Sequence, residues 1–489
     1  MLLGAAFILP FAILLACAAL EVPMGQGYFW FRYSPVRAER TLRALPAVAL
    51  GGIAAGAVWT LAARRPRRDR LAAGTVLAAA AVGAGAWVWW APPVPMNQQW
   101  FNITSLSTDG AFYHESSGIG SLPLYLRRFD QDRLTRVTEQ MGGTRILSNP
   151  PGATVLAYLA SRVNAPDPLE PGAFQRYLRA AHELSPEDSA LISGGLRVAI
   201  LFAALWVLAG AAGYGLGRVF LSPAGAAVFA IMATFNPCAV HFAPGKDPAQ
   251  LLSVNLMLWA WFASWKRRSA PLAAVAGAAL LVGLTLSLSH AWVALAALAA
   301  TLWHDRARLG TVALRGVLPA AAGAAAVVLL VYLAIGWNIP ATLLAVARKW
   351  TALQPTFQMN RAVWYLIGLP IFLLFLSPGF YALLGLSAPR RRLNLGTRLV
   401  ICTAGAMAFI YLVIGLTYEL PRLWVVFLPP LALGLAMDAP LLRGRGPHRR
   451  AAVALATLVV AQVAFTAFHW TIFDAREAEY RLISKRLYG

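Results

Sequence analysis

Charge is scarce in this chain. Asp, Glu, Lys and Arg make up 13% of its 489 residues, against about 25% in a soluble globular protein. Apolar residues reach 59% and the mean hydropathy is +0.61, which excludes a soluble enzyme and a disordered chain. Cysteine is sparse too. Cys17, Cys238 and Cys402 lie far apart in or beside apolar segments, which excludes a disulfide scaffold and gives no metal-type spacing. A glycine-rich nucleotide loop and a Ser-nucleophile elbow are both missing. Acids are the rarer charge, 20 against 42 Lys and Arg. The net charge of +22 does not point to nucleic acid, because the basic residues sit in short clusters between apolar runs and not on one face.

Those apolar runs recur from end to end, many of them long enough for the roughly 30 Å of bilayer hydrocarbon. They fall near 1–20, 41–63, 71–91, 190–216, 223–241, 248–265, 270–288, 291–304, 312–336, 362–384, 396–416, 422–438 and 451–470. Leu14-Leu15-Ala16-Cys17 faintly resembles a lipoprotein cleavage site, but no basic stretch precedes it, so residues 1–20 read as a retained first membrane helix. With the N-terminus inside, the basic clusters all fall on the cytoplasmic side, as Lys and Arg loops do. These are Arg64–Arg70, Lys266-Arg267-Arg268, Arg306 with Arg308, Arg390-Arg391-Arg392, and Arg443 through Arg450. The expectation is an all-α polytopic membrane protein of about 13 transmembrane helices. It divides into three first helices (1–91), a large extracytoplasmic loop (92–189), a helical bundle (190–470) and an outer C-terminal tail (471–489). Ala-rich composition and the preference for Arg over Lys suggest a GC-rich bacterial genome, hence a bacterial inner or plasma membrane.

The loop 92–189 breaks the pattern, holding ten of the chain's twenty acids. Loops beyond about 12–15 residues are usually functional or disordered. Leu122, Leu126, Phe129, Leu134, Val137 and Met141 recur at helical spacing among four arginines, as in a helix lying in the interface plane. Phe174, Tyr177, Leu178, Ala181 and Leu184 predict a second. No tandem repeat and no pair of broken helices in matching halves is apparent, so the best sequence pointer to a transporter is lacking.

Ionisable groups near membrane depth are costly and usually functional, and four groups of them stand out. Asp109 leads Gly110-Ala111-Phe112-Tyr113-His114-Glu115. A carboxylate there could take a proton from an attacking hydroxyl; its competing role is a helix N-cap. His114 and Glu115 are weaker candidates. Asn149-Pro150-Pro151-Gly152 closes the outer loop before an apolar stretch, whose helix N-terminus favours an anion, against the plainer role of a turn. His241 to Pro248 forms a short outer link in which Lys246 could hold a phosphate as a point charge and Asp247 could cap the next helix. Glu419 and Arg422 sit three residues apart at an outer helix end, Arg422 being a phosphate clamp or the salt-bridge partner of Glu419. Arg348 and Lys349 in the outer loop 337–361 are further basic candidates. His290 ends a helix and bonds locally.

In this order, the four groups resemble motifs of the GT-C superfamily of membrane glycosyltransferases, in particular the protein O-mannosyltransferase and aminoarabinose-transferase type. Asp109-Gly110-Ala111-Phe112-Tyr113 looks like its acidic-aromatic motif. Asn149-Pro150-Pro151-Gly152 looks like the motif that closes the first outer loop. Asp247-Pro248 followed by Lys266-Arg267-Arg268 resembles its Asp-Pro helix ending in basic residues, and Arg422 through Pro430 its C-terminal Arg-aromatic-Pro segment. Two positions depart from the pattern. Gly110 stands where a second carboxylate is frequent, which argues against a divalent cation bridged by adjacent carboxylates unless Glu115 substitutes; no metal ligand is assigned. Asn149 stands where His is frequent, so no proton transfer is expected at that point.

The resemblance implies a GT-C-like fold and a sugar taken from a polyprenyl-phosphate donor to an extracytoplasmic lipid, glycan or protein acceptor. Asp109 would deprotonate or orient the acceptor in a single inverting displacement. Lys246, Arg348, Lys349 and Arg422 would stabilise the leaving phosphate, with His114, Glu115, Asn149, Asp247 and Glu419 completing the substrate site. Two rivals stay open: an O-antigen ligase or polymerase-like envelope enzyme, and a transporter or lipid flippase.

Overall fold

The structure, a computed structural model, describes residues 2–26, 29–30, 32–34, 37–63, 69–87, 109–133, 146, 148–162, 186–353, 361–387, 393–417, 420–443 and 449–474. It is overwhelmingly helical. The only strands among these residues are two-residue pairings, Gly25–Gln26 with Phe29–Trp30 and Arg32–Tyr33 with Phe473–Asp474. Each of the thirteen apolar stretches is helical for most of its length. Among the described residues, five helices are long and apolar enough to cross a membrane: Arg37–Ala63, Gly194–Gly217, Arg306–Ile335, Leu395–Leu412 and Arg450–Ile472. This is the architecture of a helical membrane protein, since in lipid a helix satisfies its own backbone polar groups.

Small residues set the closest approaches. Helix Ala270–Leu286 crosses Leu318–Ile335 at Gly277 and Gly323, where a Cβ would overlap the carbonyls of Ala320 and Ala274 respectively. Such crossings let backbones meet where apolar side chains gain nothing by leaving lipid. The outer side of the second helix stays uncovered, with Leu329, Leu330 and Leu333 exposed. Polar ties join helix ends into two opposite rims. At one rim Ser222 binds the Leu442 carbonyl, Lys266 the Val219 carbonyl and Arg398 the Trp303 carbonyl. These ends carry most of the basic clusters. At the other rim Ser34 N–H donates to Ile472, and Arg127 donates to the Ile335 carbonyl, which ends its helix at the left-handed Gly336.

Three expectations are corrected. The stretch 362–384 is not one straight helix: Arg361–Phe375 and Pro378–Leu386 meet at a bend of 87°. The stretch 223–241 is also broken, at Phe235 and Asn236. Both breaks converge on Gln462 of helix Arg449–Ile472, whose amide nitrogen donates to Phe235 O at 2.7 Å and whose Oε1 accepts from Ser377 Oγ. Proline at the start of each second segment (Pro237, Pro378) blocks continuation of the first, and Gln462 answers the Phe235 carbonyl at one break and the Ser377 hydroxyl at the other. Last, the interfacial helix is interrupted at Arg128, and Leu134, Val137 and Met141 lie outside the described residues. Leu122–Arg127 gives way to a π-turn at Phe129–Arg133, and Leu126 packs onto Leu281, Trp337 and Ile339, not lipid. The second expected interfacial helix lies outside the described residues.

Candidate active site

Four sequence-distant segments meet at the rim that carries Arg127 and Gly336. Asp109 stands at the N-cap position of helix Gly110–Ser117, yet its side chain does not cap that helix. The reason lies across the site: Asp109 Oδ2 accepts the backbone N–H of Lys246 at 2.7 Å. Lys246 opens the short helix Lys246–Ala249, so Asp109 serves a first-turn amide that has no partner within its own helix. Gly245 makes room for this, because a Cβ there would strike both Asp109 Oδ2 and the Phe242 carbonyl oxygen.

The Lys246 ammonium donates to Asn149 Oδ1 at 2.7 Å and lies 3.3 Å from Asp247 Oδ1. Its Nζ also stands 5.8 Å from the Phe112 ring centroid. Asp247 Oδ2 faces Arg422 Nε at 3.4 Å, and its Oδ1 also accepts from Gln250 Nε2 at 3.1 Å. The side chains are almost dry, with exposures of 7% for Lys246, 4% for Asp247 and 12% for Arg422. Two carboxylates therefore balance two cations in a nearly closed polar site. Buried charges persist only when paired and hydrogen-bonded, and each of these four is answered by another segment of the chain.

Local structure explains the convergence. Pro150 and Pro151 end the outer segment, and helix Gly152–Ser161 begins beside the Thr285 carbonyl, where only a glycine fits; this turns Asn149 toward Lys246. Tyr113 wedges helix Gly110–Ser117 against Gly194, where a Cβ would overlap its hydroxyl. Burial pushes the Tyr113 phenol up to about 12, partly offset by the nearby Arg197 guanidinium and the Gly195 backbone. Arg422 lies in the single turn Leu420–Leu423 and is followed by Trp424, which packs edge-on against Phe372 and Tyr411.

Of the expected site residues, Asp109, Asn149, Lys246, Asp247 and Arg422 come together. Lys246 is engaged by Asn149 and Asp247, and Asp247 binds side chains across the site instead of capping its helix. His114 and Glu115 lie on the less buried side of helix Gly110–Ser117, and Glu419 is outside the described residues. Arg348 and Lys349 are not on a loop: they belong to helix Ile339–Leu353, with Arg348 exposed and Lys349 half-buried. His241 Nε2 and His469 Nδ1 are 2.9 Å apart, so one ring donates to the other inside an aromatic shell of Phe375, Phe465 and Phe473. His290 starts a helix, with Nδ1 3.0 Å from Ser287 O and Nε2 2.8 Å from Ser253 Oγ. Two residues went unread in the sequence. Gly245 carries no chemical signal at all, whereas Gln250 stands three residues after Asp247 and so on the same helical face.

Among the described residues no group of three or more His, Cys, Asp and Glu side chains is arranged to hold a metal ion. Searches of protein-family models, curated proteins and solved structures return no match to this chain.

Proposed function

We propose that the protein is a GT-C-like membrane glycosyltransferase that moves a sugar from a polyprenyl-phosphate donor to an acceptor outside the cytoplasm. One observation supports this reading above all. The segments that carry the resemblance, around residues 109, 149, 246–247 and 422, are spread over more than three hundred residues of the chain yet share one site of hydrogen bonds and ion pairs. In the proposed topology the chain crosses the membrane about 13 times with its N-terminus inside. The rim bearing Lys266, Arg306 and Arg398 then faces the cytoplasm, and the Asp109 site faces outward.

In the reaction, Asp109 accepts the proton of the attacking acceptor hydroxyl as the oxygen attacks the sugar's anomeric carbon. The bond from that carbon to the phosphate oxygen breaks, and the configuration inverts. Charge grows on the departing phosphate, and Arg422 and Lys246 are the cations placed to meet it. Both already share Asp247, so the ligand competes for them with a fixed carboxylate and not with water.

The test is Asp109→Asn, assayed with labelled polyprenyl-phosphate sugars in membranes containing the protein. Transfer is expected to fall by about 10²–10⁴-fold, the usual contribution of a general base; undiminished transfer removes Asp109 from the chemistry. One observation favours a second reading, a transporter: the two broken helices that meet at Gln462. Discontinuous helices mark substrate sites in many transporters. Substrate flux into proteoliposomes without product formation would establish that reading instead.

A further inference from the structure

Asp247 holds the Gln250 side chain in one orientation. Gln250 links the helices Lys246–Ala249 and Leu251–Arg267 and is 2% exposed. Its Nε2 donates to Asp247 Oδ1 at 3.1 Å. Turning the amide over would set its oxygen against a carboxylate oxygen, so the assignment of nitrogen and oxygen is fixed by chemistry. The remaining atom, Oε1, is buried with no hydrogen-bond partner. The backbone beneath it is braced: Gln250 N–H donates to Lys246 O at 2.9 Å. Its carbonyl lies 2.8 Å from Ser253 Oγ, which also reaches the fully buried His290.

Buried acceptors in native proteins almost always have a donor. A rigid one left unanswered next to Asp247, the carboxylate that Lys246 and Arg422 share, calls for a ligand that brings its own hydrogen. We propose that Gln250 reads a hydroxyl of the transferred sugar, its Oε1 accepting the sugar O–H while its Nε2 stays on Asp247. The assignment rests on the glycosyltransferase reading above. A sugar hydroxyl fits better than an acceptor hydroxyl, because Gln250 is tied to the Asp247–Arg422 side proposed for the donor phosphate, whereas the acceptor approaches Asp109. Asp247 thereby acquires a second role: besides pairing the cations, it orients the amide that selects the sugar.

The experiment compares sugars, not only rates. Membranes containing the full-length protein are assayed with polyprenyl-phosphate-linked mannose, glucose, galactose and arabinose, and then with the mono-deoxy analogues of whichever sugar is transferred. Wild type is expected to lose about tenfold in kcat/KM on one particular deoxy analogue, the worth of one hydrogen bond to a buried acceptor. Gln250→Met, which offers no acceptor oxygen, is expected to treat that analogue and the parent sugar alike. Gln250→Glu regains the preference as the pH falls, since only the protonated carboxyl can donate to Asp247 and still accept from the sugar. A discrimination unchanged in Gln250→Met, or in Gln250→Glu at every pH should Gln250→Met not fold, overturns the role of Gln250 while leaving glycosyl transfer intact. Wild-type membranes that transfer none of these sugars overturn both.

Discussion

Replacing Gly245 by alanine tests the site without touching any charged group. The ideal Cβ would lie 2.5 Å from the Phe242 carbonyl oxygen and closer still to Asp109 Oδ2. Ordinary contact begins at 3.4 Å, so the backbone oxygen alone is about 0.9 Å too near, and one of the two must move. The Phe242 carbonyl belongs to the same tight link as Gly245, whereas Asp109 arrives from another segment. The carboxylate is therefore the group to yield, and it takes its hydrogen bond to Lys246 N with it. Overpacking of this kind costs about 1–3 kcal/mol, and losing a hydrogen bond to a charged group adds about 1.5–3 kcal/mol. A displacement near 1 Å at a reacting group lowers a rate by about 10²-fold. Gly245→Ala is expected to melt earlier in detergent and to transfer sugar about a hundredfold more slowly. Wild-type melting together with wild-type transfer would refute the claim that the Asp109–Lys246 link is rigid and functional.

Removing one partner of the ion pair should hurt more than removing both. Asp247→Asn leaves Lys246 and Arg422 buried without their shared carboxylate, at a cost of about 3–5 kcal/mol. Combining it with Arg422→Met should recover part of that loss, and thermal unfolding of the two singles and the double measures the coupling. The Tyr113 phenol gives a pH test. With its folded value raised to about 12 above the ordinary value near 10, the fold favours the protonated form. Its contribution is complete below pH ~10 and is lost as the pH rises toward about 12. Tyr113→Phe should therefore flatten the alkaline fall in melting temperature over that window, and an identical fall in variant and wild type would contradict the assignment.

Hydropathy made most of the helical framework legible, because a bilayer demands long apolar helices and loops between them must be polar. The thirteen stretches read from the sequence all carry helix. What it concealed were breaks inside apolar runs. Leu376-Ser377-Pro378 and Phe235-Asn236-Pro237 keep the hydropathy of a span while their prolines stop the helix, and the groups that make this affordable come from Gln462, more than eighty residues beyond either break. Helix Ile339–Leu353 was hidden for the opposite reason: Arg348 and Lys349 lower its hydropathy, although Val346 and Ile339 are buried against protein.

Within the site, legibility followed residue type. Carboxylates and cations near helix ends advertise themselves, since their burial is expensive, and four of those expected, Asp109, Lys246, Asp247 and Arg422, lie together with the neutral Asn149. What could not be read was direction. Asp109 has the sequence of an N-cap and occupies that position, and only the fold shows its carboxylate turned toward Lys246. Lys246 looks like a free cation, yet it is bound to Asn149 and Asp247. The fold has thus turned a string of separately plausible anion-binding residues into a balanced network. Under the proposed function, an anionic ligand entering it must take Arg422 or Lys246 away from Asp247, and that exchange, not simple attraction, would set which phosphates bind.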